Sequence, residues 1–428
     1  MVMIILVGNM LKENIFRCIN IVLRGMTLVS KFILIFFLAK FLVSGEVGLF
    51  GLLSATVGYA LYVVGFEFYN FSTREMIGEE PKRWLGMIRD QLVLYIILYV
   101  VFLPFALFVF FKGWLPWTHV YWFITLALLE HIAQELNRIL VAVSEQLLAS
   151  VVLFLRSGAW CLVVVAVMWV DPASRNLEFV LGGWVLGCFF ACAIAIKKVL
   201  SFDKASLKDS VNWSWIARGI KIAIPLLIAS LAIRGIFTFD RYWVESVSGL
   251  SVLGAYVLYV GMATAVLSFI DAGVIVFFYP KLVSSAKKGD TSGFKKDMKD
   301  LTINIIGVTA FLILACYGVS GFVLQWLNYS VYSENVSILY WLLAAIAIYS
   351  VSMIPHLGLY SFGYDTAISY SQVAGFFAFL VVAYLFSNKV GVVSIPLGMC
   401  VAFTLILGWK YFAYWAMLRK KTMLETTL

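Results

Sequence analysis

Residues 91–111 read QLVLYIILYVVFLPFALFVFF, with no charged side chain between Gln91 and Phe111. Wound into an α-helix at about 1.5 Å per residue, this run spans about 30 Å, the thickness of a bilayer's hydrocarbon core. Lipid offers no hydrogen-bonding partner, so a crossing segment must satisfy its own backbone, and a helix does that within one strand of chain. The same reading extends outward on both sides. Helices are expected from Ile15 to Phe41, Val47 to Phe68, Gln91 to Phe111, Trp117 to Val141, Leu147 to Val170 and Leu177 to Ile196. A second set is expected from Ile216 to about Phe239, Val252 to Tyr279, Leu301 to Trp326, Val336 to Tyr360, Thr366 to Phe386 and Val392 to Leu418. The pattern predicts an all-α polytopic membrane protein of about 12 transmembrane helices.

Composition agrees. Of 428 residues, 63% are hydrophobic and 13% charged, against about half and about a quarter in soluble domains. The net charge of +9 is explained by loop bias and gives no reason to expect a nucleic-acid partner. The segments joining even to odd helices, and both chain ends, hold most of the Lys and Arg; the opposite loops hold only Lys40, Lys112, Arg175, Arg241 and Lys389. That asymmetry places both termini in the cytoplasm. Trp114, Trp117, Tyr121 and Trp122 then fall at the outer interface, as an aromatic belt does.

Several function classes are excluded. No GxxxxGK[ST] loop is present, and the longest polar stretches (Tyr69 to Asp90, Lys197 to Trp215, Pro280 to Asp300) are too short for a catalytic or nucleotide-binding domain. The outer loops, of which Asp240 to Ser251 is the longest, are too short for a membrane-embedded glycan ligase or polymerase. The six cysteines lie in apolar segments without a CxxC pair or Cys/His cluster, so packing thiols are expected, with no metal, cofactor or catalytic centre. Residues Met1 to Asn9 carry no assigned function, since Met10 is an equally good start; no cleavable leader is expected.

Ser44-Gly45-Glu46-Val47-Gly48-Leu49-Phe50 before the second helix and Ser248-Gly249-Leu250-Ser251-Val252-Leu253-Gly254-Ala255-Tyr256 before the eighth form a weak repeat. Each following helix ends near an acid, Glu67 or Asp271. Two parallel six-helix halves are therefore expected, 10–200 and 216–421, joined by a cytoplasmic linker at 201–215.

With these residues the chain resembles a known family. Ala39 to Phe50, Phe239-Asp240-Arg241-Tyr242-Trp243-Val244 with Leu253 to Tyr256, and Tyr279-Pro280-Lys281-Leu282 with Lys288-Gly289-Asp290 resemble the polysaccharide transporter branch, the Wzx-type O-antigen flippases, of the multidrug/oligosaccharidyl-lipid/polysaccharide exporter superfamily. The resemblance implies two halves around a central cavity in the bacterial inner membrane. It also implies an undecaprenyl-diphosphate-linked oligosaccharide as the substrate, for O-antigen, capsule or exopolysaccharide. A polysaccharide polymerase and a chain-length regulator would be partners beside the membrane lipid.

Charges within the helices can be read independently. An ionisable group at mid-bilayer costs about 2.5–3.5 kcal/mol on insertion scales, so it faces a cavity or a partner. Arg17, Arg24 and Lys31 recur at seven-residue spacing on the first helix, each about 10 Å beyond the last on nearly one face. With Arg156 and Arg234 they are candidate cavity cations for an anionic group; the alternative is pairing with acids or snorkelling. Glu130 and His131 at mid-membrane, with Asp271 and Glu67, are candidates for ion coupling or for fixed counter-ions. Asp240-Arg241 is expected as an outer-interface pair and His356, after Pro355, as a packing residue. Gly183-x-x-x-Gly187 marks a close helix contact. Lys287, Lys288, Lys295, Lys296 and Lys299 are expected to anchor a cytoplasmic loop at the membrane surface. The rival within the superfamily is a cation-coupled multidrug exporter, which would present acids and aromatics to its drugs instead of a basic stripe.

Overall fold

The structure, a computed structural model, describes the backbone of residues 2–426 and the side chains of Phe16 and of 18–420. Arg17, one step of the expected basic stripe, has its side chain outside the described residues. Among the described residues every regular element is helical. Nine stretches are long and apolar enough to cross a membrane. Two of them, 213–288 and 365–420, each contain two crossings, and Val120–Ala142 adds another despite its charges; the total is twelve.

The crossings are α1 (Val2–Phe41), α2 (Ser44–Gly65), α3 (Trp84–Ala106), α4 (Val120–Ala142), α5 (146–170) and α6 (Leu177–Val199). They continue as α7 (213–248), α8 (250–288), α9 (Thr291–Leu327), α10 (Ser337–Ser361), α11 (Asp365–Val390) and α12 (Ser394–Thr426). Apolar runs locate each crossing, but polar residues extend several helices beyond the lipid-compatible core. α3 begins at Trp84 behind a 3-10 turn at Pro81–Arg83. Tyr69–Ile77 is a short helix inside an expected loop. The expected outer loop Asp240 to Ser251 is instead helical: α7 and α8 meet at Gly249, whose φ of 79° lies in the left-handed region that glycine occupies without strain. Two π-turns interrupt the α-helical register, at Leu155–Ala159 in α5 and at Asp271–Ile275 in α8.

Packing divides the chain into two units. The first joins the residues up to Leu42 with Thr56–Leu227. Small side chains let its helices approach: Ala133, Ala149, Ala191 and Ala195 are fully buried, with Leu140 and Val152 filling the space between them. A Cβ at Gly183 would stand 2.3 Å from Val164, and one at Gly187 2.6 Å from Trp160, which gives the expected close contact of α6 with α5. Ser206, in a 3-10 turn, accepts from the Gly86 N–H at 2.9 Å, and Arg89 reaches the carbonyls of Ser206, Leu207, Asp209 and Ser210. The polar segment after α6 is thereby strapped to the start of α3.

The second unit joins Val43–Ala55 with the residues from Ile228 onward. Here the two repeat segments pack on each other. A Cβ at Gly48 would meet the Leu250 carbonyl at 2.4 Å, one at Gly254 would meet the Ser44 carbonyl at 2.0 Å, and the Ser44 and Ser251 hydroxyls lie 2.8 Å apart. The glycines are what allow the two helix starts to cross. Asp240, expected at an interface with water, is fully buried in this unit. It accepts from the Tyr256 hydroxyl at 2.8 Å and from the Arg241 N–H at 2.7 Å, so an internal partner replaces the water it loses.

Candidate functional site

In the first unit, α4 carries the chemistry. Its inner face is set by the spacing of Glu130, His131, Gln134, Glu135 and Arg138, which fall three or four residues apart and so share adjoining faces. They form two charged clusters about one turn apart.

The upper cluster centres on Glu130, which is 8% exposed. One carboxylate oxygen accepts from the Trp184 indole N–H of α6 at 2.6 Å; the other lies 3.4 Å from Arg156 Nε of α5. Arg156 sits in the π-turn, where the surplus residue rotates its side chain toward α4. Gly158 in the same turn allows α1 to approach: a Cβ there would be 3.0 Å from Thr27 Cα. Lys31, one turn further along α1, is electrostatically coupled to both Arg156 and Glu130. Lys31 is exposed. Two cations thus lie within electrostatic range of one carboxylate, and Arg156 is the nearer of them at 3.4 Å. Arg156 Nη1 is buried without a hydrogen-bond partner among the described residues. Trp160 stacks in parallel on Trp184 at 5.9 Å, which fixes the indole that holds Glu130.

The lower cluster centres on Glu135, which is 5% exposed. It accepts from Gln91 Nε2 at 2.9 Å and the Tyr95 hydroxyl at 2.7 Å, both from α3, and pairs with Arg138. The Arg138 guanidinium lies 3.5 Å above the Tyr69 ring. His131, only 2% exposed, meets the Tyr99 hydroxyl at 3.1 Å through Nδ1, and its Nε2 has no partner. Gly65 is opposite: a Cβ there would be 3.4 Å from that nitrogen. Glu67 follows at φ 55°, buried, with Asn70 donating to its carboxylate. Glu67, Tyr69, Gln134 and Arg138 line a cavity of about 10 Å³ beside Gly65, room for about one water.

The remaining site residues disperse. Arg24 is exposed on α1 and donates to Ser150 Oγ at 3.4 Å; no carboxylate pairs with it among the described residues. In the second unit, Asp271 opens the π-turn of α8 and is coupled electrostatically to Arg234, with Tyr349 in range of both. Arg156 therefore stands in ion-pair range of Glu130, while Arg234 is within electrostatic range of Asp271. Glu130 faces Arg156 in this arrangement, as either a coupling group or a counter-ion would. Sequence reasoning missed Trp184, Tyr95 and Gln91, ordinary residues of an apolar helix until an acid faces them. It also missed Lys410, fully buried on α12 with Nζ unpartnered among the described residues; His356 of α10 lies within electrostatic range, its Nδ1 also unpartnered. An isolated lysine inside an apolar run was the available signal. Among the described residues no group of His, Cys, Asp and Glu could hold a metal, and the cysteines are free thiols.

Neither a protein-family profile nor a curated protein sequence matches the chain. Solved structures do. An inward-facing multidrug resistance MATE family transporter of the MOP superfamily superposes with a TM-score of 0.77 at 11% identity, covering 95% of this chain and 100% of that one. A MATE protein in complex with MaD3S gives 0.61 at 13% identity over 94% and 96% of the two chains. An outward-facing MATE family transporter of the MOP superfamily gives 0.57 at 14% over 94% and 96%. With nine apolar stretches long enough to cross a membrane among the described residues, the chain is a multi-pass membrane protein with the fold of the MATE transporters of the MOP superfamily.

Proposed function

We propose that the chain is a transporter for an anionic lipid-linked substrate, a flippase moving an undecaprenyl-diphosphate-linked oligosaccharide across the bacterial inner membrane. The observation that carries this reading is the charge of the upper cluster: Arg156 lies 3.4 Å from Glu130, and Lys31 is within electrostatic range of both. Among the described residues that leaves one positive charge in excess, an exposed lysine and a buried guanidinium N–H without an acceptor. A phosphate oxygen supplies what is missing, and the planar guanidinium suits it. Arg24, exposed two turns away on α1, extends the basic surface. The six-helix halves 10–200 and 216–421 would alternate access around the substrate, with both termini cytoplasmic. An inside-negative potential would assist outward movement by about 2.3 kcal/mol per charge per 100 mV. A polysaccharide polymerase and a chain-length regulator would act on the delivered product. Arg234, within electrostatic range of Asp271, is the corresponding candidate contact of the second unit.

A second reading, a cation-coupled multidrug exporter, is favoured by the multidrug description of the solved neighbours and by the acids Glu130, Glu135 and Glu67 in one unit. Export of surface glycan in a strain lacking its own copy of the gene decides between them. Arg24→Ala should abolish export at normal membrane abundance, Arg24→Lys should retain part of it, and Lys31→Ala should be milder. Full export by Arg24→Ala, together with efflux of a cationic dye that Glu130→Gln abolishes, would overturn the flippase reading in favour of the second.

A further inference from the structure

The α8–α9 hairpin carries, on the two helix ends that flank its turn, six lysines (281, 287, 288, 295, 296 and 299) against three aspartates (290, 297 and 300). Two of these acids are already engaged. Asp290 caps α9 by accepting from the Gly293 N–H at 2.8 Å, and Asp297 accepts from the Ser285 hydroxyl at 3.3 Å. All six lysines are exposed, and none forms an ion pair among the described residues. The orientation is set by packing: Leu282, Phe294 and Met298 are buried, which turns the lysines outward. Lys281 and Lys288 lie two helical turns apart on one face of α8, and Lys295 and Lys299 one turn apart on α9. Gly289, at φ 71°, closes the turn between them. Directly along α8 from Lys281, Val276 is 61% and Phe277 62% exposed. Tyr279 stands between these apolar residues and the lysines, its ring against Tyr360 of α10 at 5.6 Å. Exposed apolar surface, an aromatic ring and then ammonium groups that form no ion pair among the described residues, Lys281 lying over the Phe278 ring at 5.4 Å, follow in the order that a phospholipid presents chains, interface and phosphate.

We propose that this hairpin binds acidic phospholipid of the leaflet it faces, with headgroup phosphates on Lys281, Lys288, Lys295 and Lys299 and acyl chains along Val276 and Phe277. The surface is separate from the charged clusters of the first unit and does not depend on what the protein transports. The selectivity is electrostatic. A lysine near an anionic leaflet favours an acidic over a neutral lipid by about fivefold, and half-molar salt, whose Debye length is only about 4 Å, removes most of that.

The test uses the full chain in phosphatidylcholine vesicles. Ser284 is exposed and serves as the reporter position, Ser284→Cys labelled with a fluorophore, with the exposed Cys18 changed by Cys18→Ser. Equal small fractions of doxyl-labelled phosphatidylglycerol or doxyl-labelled phosphatidylcholine are then added in parallel. Quenching by the phosphatidylglycerol should be several-fold stronger. The excess should vanish in half-molar sodium chloride and in the variant carrying Gln at positions 281, 288, 295 and 299. Equal quenching by the two lipids, or an excess that survives salt, would overturn the proposal. The salt titration is made on the labelled chain with all four lysines in place, so it decides the matter even if the fourfold variant does not fold.

Discussion

Glu130→Gln is the most informative single change in the first unit. It leaves an acceptor for the Trp184 indole N–H and removes only the charge facing Arg156 and Lys31. Two unit charges at 4 Å interact by about 4 kcal/mol at an effective dielectric of 20. The side chains of Arg156 and Glu130 are only 15% and 11% exposed, so solvent screening is slight. Losing one partner of a buried pair costs about 3–5 kcal/mol, much of it the penalty of the charge left behind; with the indole bond kept, about 3 kcal/mol is expected. Cys161, Cys188 and Cys192 are buried around the cluster, so thermal unfolding followed by a thiol-reactive dye reports its opening. Glu130→Gln should lower the midpoint by several degrees, as should Arg156→Gln. The double variant should recover most of the loss, because it leaves neither charge without its partner. Single and double losses that simply add would refute the pairing as the source of the stability.

Lys410→Met should raise the thermal midpoint, since it replaces a fully buried nitrogen without an acceptor at a gain of about 1–3 kcal/mol; a lower midpoint would show that the amine has a partner. Gly254→Val should sharply reduce the amount of folded protein in the membrane, because its Cβ would fall 2.0 Å from the Ser44 carbonyl; detergent-stable protein at normal yield would contradict the crossing of α2 and α8. Single-cysteine labelling should find positions 287 and 420 inside and 114 and 328 outside, and an external signal at 287 would invert the topology.

The crossings were legible because lipid imposes one demand, a long apolar helix, and 91–111 states it without ambiguity. Helix ends were not: 84–90, 240–248 and 291–300 are helical because neighbouring helices, loops or water satisfy their polar side chains, and none of that is written in local hydropathy. The site was legible in part. Charged residues in apolar runs identified Lys31, Glu130, Arg156 and Arg234, since each demands a partner. Which partner depends on distances across the chain, as between Glu130 and Trp184 or Glu135 and Gln91, and on a helical register that sequence periodicity assumes to be constant.

That assumption fails in α5. A π-turn holds one residue more than an α-turn, so the segments of α5 before and after 155–159 are out of phase by about 100°. A chain cut by one residue elsewhere in a transmembrane helix must rotate or shift everything beyond the cut. Here the surplus residue acts as slack: deleting one position within 155–159 lets the turn revert to α-helix while Gln146–Phe154 and Trp160–Val170 keep their places. What such a deletion cannot keep is the direction of Arg156, which would swing away from Glu130 with the rewound turn. α5 is therefore the helix in which length and aim are separable, and a shortened chain could retain its fold while losing its charge pair.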